Sequence, residues 1–117
     1  MLIFRLILVV LVAATAGCHQ AHSFITVTNQ STLSLSNLVI SGACEERVTN
    51  MLAARSEWVT VTPHWQERPI ELSFTGDGKR HTTNSAYYIE GGTSYRIHFT
   101  IDSNLNVTAD VKNEYQK

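Results

Sequence analysis

The chain has 117 residues, 44% of them apolar, and nine Lys and Arg against ten Asp and Glu leave a formal net charge of −1. Arg47, Arg55, Arg68, Lys79, Arg80 and Arg96 are scattered, and only Lys79-Arg80-His81 makes a short basic run. That pattern argues against nucleic acid, which demands a clustered basic face to neutralise phosphates.

The N-terminus carries one early charge, Arg5, then an apolar run from Leu6 to Ala14, then small residues up to Cys18. A charged start, a short apolar core and a small-residue end describe a secretory signal, and the run is too short to span a bilayer comfortably. The segment Ala14-Thr15-Ala16-Gly17-Cys18 resembles the lipobox of bacterial lipoproteins. The resemblance implies that residues 1–17 are a lipoprotein signal peptide and that Cys18 takes a thioether-linked diacylglycerol. It further implies cleavage before Cys18 and acylation of the new amino terminus by a palmitate-type chain. Several acyl chains anchor a protein stably where one binds only marginally, at roughly 0.8 kcal/mol per buried methylene. His19, in place of an aspartate, implies sorting to the outer membrane, facing the periplasm.

A second reading of the same residues is ordinary cleavage after Ala16, since Ala14-Thr15-Ala16 fits a small-x-small site. Cys18 is then free to bridge Cys44, the only other cysteine, in an oxidising compartment. Under the lipoprotein reading Cys44 is a buried small apolar residue or a free thiol able to link two chains.

About 100 residues remain after the signal, enough for one domain. Residues 18–23 read as a polar tether and 24–117 as the folded domain. Phe24 to Thr28 alternates as a strand, closed by Asn29-Gln30-Ser31. Leu33 to Ile40 reads as the next, but Leu33/Leu35 and Leu38/Ile40 fall on opposite parities, which predicts a bulge at Ser36-Asn37. Val48, Met51 and Leu52 have helical spacing, with Glu45 and Glu46 early and Arg55 late, so residues 44–56 are expected to hold a short helix or a loop crossing between sheets. Trp58 to Thr62 is a strand ended by Pro63, which cannot donate to a ladder. Ile70, Leu72 and Phe74 mark another strand, and Gly76-Asp77-Gly78 a hairpin tip. Tyr87 to Glu90 precedes a turn at Gly91-Gly92. Tyr95, Ile97, Phe99 and Ile101 alternate inward, as do Leu105, Val107, Ala109 and Val111, so these runs form an antiparallel hairpin across Asp102-Ser103-Asn104. The chain is therefore expected to be all-β: a small antiparallel sandwich, Ig-like or related, of about seven strands.

Chemistry-bearing constellations are sparse. His64, His81 and His98 show no paired ligand spacing, and Arg96 beside His98 disfavours a cation, so no metal is expected. Cys18 and His22 offer nothing better, because acylation removes the thiolate. Gly76 to Arg80 lacks the spacing of a phosphate loop, and no nucleophile elbow or zinc-protease helix is present. Glu71, Glu90, Asp102 and Asp110 fall on outward positions or turns. No cofactor and no small-molecule substrate are expected. Asn29-Gln30-Ser31 and Asn106-Val107-Thr108 match the glycosylation sequon, which the lipobox makes irrelevant.

Residues Pro63 to Pro69 are the most unusual segment outside the signal, two prolines bracketing His64, Trp65, Glu67 and Arg68 in a stiff loop. Aromatics and arginine concentrate at interface centres, which makes these four the candidate binding residues; the alternative has Trp65 folding back to cap the core.

Ile25 to Ser31, Leu38 to Gly42 and Trp58 to Pro63 together are similar to small uncharacterised bacterial lipoproteins, where an Asn-x-Ser opening strand leads to a Ser-Gly turn and a strand after a short crossover. The resemblance implies a β-sandwich and supplies no activity. The expected function is a non-catalytic envelope lipoprotein whose sandwich presents loops or a sheet edge to a protein or glycan partner. The alternative is a lipid-anchored periplasmic inhibitor of a secreted hydrolase, with the Pro63–Pro69 loop entering the enzyme's cleft.

Overall fold

A computed structural model describes residues 21–42, 44–63, 68–84 and 93–113. Eight strands run in chain order: β1 (His22–Asn29), β2 (Leu35–Gly42), β3 (Arg47–Leu52), β4 (Glu57–Pro63), β5 (Ile70–Gly76), β6 (Lys79–Asn84), β7 (Tyr95–Ile101) and β8 (Val107–Asn113). They form two four-stranded sheets, the first ordered β4-β1-β7-β8 and the second β3-β2-β5-β6. All neighbours are antiparallel except β1 and β7, which run parallel from Ser23↔Tyr95 to Asn29↔Ile101. The expected sandwich is thus present among the described residues, with β3 and β6 as strands the alternation does not announce and one parallel pair at the centre of the first sheet. The run Tyr87 to Glu90 and the turn at Gly91-Gly92 lie outside the described residues.

The core follows from period two. The central strands of both sheets turn their apolar parity inward: Ile25 and Val27 of β1, Leu38 and Ile40 of β2, Ile70, Leu72 and Phe74 of β5, and Ile97, Phe99 and Ile101 of β7 are all buried. Each such side chain contributes about 1.5–3 kcal/mol relative to exposure. Edge strands close the flanks with half-buried Trp58, Val107, Ala109 and Val111.

The bulge predicted at Ser36-Asn37 is there. The β2–β5 register shifts between Ser36 and Val39, and Asn37 takes φ 50, a left-handed conformation asparagine tolerates better than most residues. The shift puts both Leu35 and Leu38 in the core. The Asp77-Gly78 tip has positive φ at both residues, between paired Gly76 and Lys79, the combination a two-residue hairpin favours because its twist matches the strands.

Residues 44–56 depart from expectation. They hold β3 rather than a helix, and the crossing between sheets is confined to the turn at 53–56. Of the three apolar residues at helical spacing only Leu52 is buried, while Val48 is 56% and Met51 65% exposed. Pairing with β2 satisfies this backbone, and that tertiary gain outweighs local helical preference.

A buried amide organises the end where β1 finishes. Asn29 donates from Nδ2 to the carbonyls of Leu33 (2.8 Å), Ala53 (3.1 Å) and Leu52 (3.3 Å). Its Oδ1 accepts from the Ser31 amide (3.0 Å) and hydroxyl (2.7 Å). One side chain thus ties the β1–β2 connection to the β3–β4 turn. Asn29, the first of the two sequon asparagines, is a clamp with no exposed amide in the folded domain.

Candidate functional site

Strand directions divide the connections between two ends. The turns at 30–34, 53–56, 77–78 and 102–106 gather at one end. At the other, His22 pairs with Pro63, and Gly42, Arg68 and Tyr95 stand at the same level, so the N-terminal entry and the base of the Pro63–Pro69 segment share that end.

Of the residues singled out from sequence, Cys18, His64, Trp65 and Glu67 lie outside the described residues. Arg68 is exposed, and its Nη2 donates to the Gly42 carbonyl at 3.0 Å. Gly42 has φ +101, and a Cβ there would stand 2.5 Å from the Pro69 carbonyl. Arg68 therefore fastens the β4–β5 link to the end of β2, beside an open groove of ≈ 340 Å³ lined also by Glu71 and Asn84.

The two described histidines of the candidate trio, His81 and His98, do not converge, and His64 lies outside the described residues. His81 faces inward from β6 and stacks on Phe74, with centroids 5.0 Å apart and planes 12° apart. His98 points outward from β7, its Nε2 2.7 Å from Thr28 Oγ1. Among the described residues no group of three His, Cys, Asp or Glu is placed to hold a metal ion. Thr28 also donates to Glu57 Oε1 at 3.3 Å. In this exposed trio the carboxylate holds the hydroxyl rather than the imidazole, so it does not reproduce the nucleophile–base–orienter order of acyl-transfer relays.

Cys44 is buried against the core. Burial pushes its thiol above the ordinary range, and the Thr62 hydrogen bond and the Arg47 charge oppose this only in part. It is a neutral, packed thiol rather than a nucleophile.

Among the described residues, two outward faces carry exposed apolar groups, a feature the period-two reading passed over because it follows the inward parity. On the second sheet, Val48 and Met51 stand exposed on β3, which is an edge strand, with Val39 directly opposite Val48 beside them. On the first sheet, Phe24 (40% exposed), Val59 (65%) and Val61 (43%) point outward from β1 and the edge strand β4. An open groove of ≈ 350 Å³ continues from Phe24 past Arg96 and His98 to Asp110 and Lys112.

No protein-family model matches the chain, and no curated protein matches it significantly. Among solved structures, an NMR structure of a protein from Eubacterium rectale is similar at a TM-score of 0.54 and 15% identity, covering 86% of this chain and 100% of that one. The likeness extends to the fold alone.

Proposed function

We propose that this is a non-catalytic lipoprotein of the bacterial envelope, held through lipid on Cys18 and binding a protein partner through the outer face and free edge of its second sheet. The observation that carries the reading is the exposure of Val48 and Met51 on a strand that, among the described residues, is an unpaired edge. Soluble domains blunt such edges with charge or cover, and an exposed edge with apolar side chains is a template for an added strand. Methionine suits this use because its flexible thioether adapts to a partner's surface. The lipobox-like Ala14 to Cys18 supports the anchor, and the outer membrane facing the periplasm is the location that goes with it.

The inhibitor alternative needs Trp65 and its neighbours to reach an enzyme's cleft. Pro63 stands beside His22, so on an anchored chain the stem of that loop is close to the membrane, a poor position for entering a cleft.

Protein made in a bacterial host tests both parts. Intact mass is expected to show a chain beginning at Cys18 with diacylglyceryl and N-acyl groups; a chain beginning at Gly17 with Cys18 and Cys44 bridged overturns the anchor. Capture from envelope extracts is expected to lose its partner with Val48→Asp/Met51→Asp and keep it with Trp65→Ala. The reverse result refutes the edge reading in favour of the inhibitor.

A further inference from the structure

We propose that the outer face of the first sheet, at its tether end, rests on the anionic surface of the bilayer that holds the anchor. This rests on the Cys18 reading above. The geometry begins with register. Val61 pairs with Phe24, Phe24 with Arg96, and Arg96 with Lys112, so these four residues form one row across β4, β1, β7 and β8. All four are exposed and on outward parity. The row is divided by chemistry: two apolar side chains on one half, two cations on the other.

Its height on the sheet matters as much as its content. Phe24 is the third residue of β1, about 7 Å along the strand from His22. Four residue steps separate Cys18 from His22, a reach of at most about 14 Å. The row is therefore held within about 20 Å of an acylated Cys18, which keeps it close to the headgroups. The next row, Val59, Thr26, His98 and Asp110, adds one more exposed apolar residue on the β4 side. The acid farther up the β4 edge, Glu57, lies two residue steps beyond Val59, on the end away from the tether.

Charge complementarity selects the partner. Of the ion pairs among the described residues, Arg47–Glu45 and Lys112–Asp110, Arg96 is in neither. The Lys112–Asp110 contact is long, 3.7 Å, between two well-exposed side chains, so a lipid phosphate competes for the ammonium. Phe24 and Val61 would sit in the headgroup layer while Arg96 and Lys112 meet phosphates, the division of labour of interfacial segments. Resting on this face turns the outer face of the second sheet, with Val48 and Met51, away from the bilayer and toward the periplasm.

The test uses acylated protein in vesicles, with a nitroxide at Val59→Cys or, on the opposite sheet, at Thr82→Cys, in a Cys44→Ala background. In phosphatidylglycerol vesicles the label at 59 is expected to be shielded from a water-soluble relaxation agent and that at 82 to be open to it. In pure phosphatidylcholine the contrast falls. Arg96→Gln/Lys112→Gln should weaken association of the unacylated domain with phosphatidylglycerol vesicles by between fivefold and thirtyfold, at about fivefold per cation, the lower bound applying if Asp110 keeps Lys112 occupied. Equal exposure of both labels in anionic vesicles, or shielding at 82 alone, overturns the proposal. Failure of the anchor itself is read separately, from intact mass. With the unacylated domain held on nickel-chelating lipid by an N-terminal hexahistidine, the same pair of labels then decides the docking face.

Discussion

Asn29 is the position at which the fold's logic is most open to attack. Replacing it by alanine removes the two strongest Nδ2 bonds and the two that Oδ1 accepts from Ser31. It also leaves the Leu52 carbonyl, within the buried part of the clamp, without its amide. Four bonds at about 1 kcal/mol each bound the loss from above, and water reaching the part-buried Leu33 and Ala53 carbonyls offsets some of it. Asn29→Ala is therefore expected to cost about 2–4 kcal/mol, a fall in Tm of roughly 10–25 °C for a domain this size. Asn29→Asp is nearly isosteric but aims a carboxylate at three carbonyl oxygens. Its folded pKa must lie above the unfolded value of about 3.9, so the protonated form is favoured in the fold. Stability is then highest in acid and is lost as pH rises through the folded value. Urea unfolding of the domain at pH 4.5 and 7 reads both effects. If Asn29→Ala shifts the midpoint by less than about 0.5 kcal/mol equivalent, or Asn29→Asp is as stable at pH 7 as at pH 4.5, the clamp is not what holds this end together.

The remaining predictions are local. Gly42→Ala sets a Cβ 2.5 Å from the Pro69 carbonyl at φ +101 and should cost about 2–4 kcal/mol, whereas Gly78→Ala, at φ +70 with open space around it, should cost only about 1 kcal/mol; thermal melts of the two variants compare them directly. Because burial raises the Cys44 thiol, its contribution to stability is complete below the unfolded thiol value near 8.5 and is lost as pH rises through the higher folded value. Cys44→Ala should flatten that alkaline slope in urea titrations, and the native thiol should react with a disulfide reagent far more slowly than the urea-unfolded one.

Strands β1, β5, β7 and the inward parity of β8 were readable because one face of each is buried and the other wet, which writes period two into the chain. The bulge at Asn37 was readable for the same reason, as a break in parity. Strand β3 was not: as an edge it buries only Leu52 among its apolar residues, and Val48 and Met51 stay outside, so its hydrophobic spacing reports a surface rather than a core. Strand β6, from Lys79 to Asn84, contains no aliphatic residue at all, and only the Asp77-Gly78 turn before it betrays a return strand. The parallel partnership of β1 and β7 joins segments some seventy residues apart in sequence, and nothing local specifies it. The candidate site divides similarly. Pro63–Pro69 drew notice by composition, but of its residues Arg68 is used to fasten β2. The outward row of Val61, Phe24, Arg96 and Lys112 exists only once four strands are laid in register.

That register has a mechanical consequence. Strand β1 enters the domain at His22 and lies between β4 and β7, bonded to each along nearly its whole length. Tension applied at the N-terminus acts along the strand, so both ladders are loaded in shear together instead of being unzipped one bond after another. A partner tugging on the far side of the sandwich would meet a domain whose first strand is gripped from both sides.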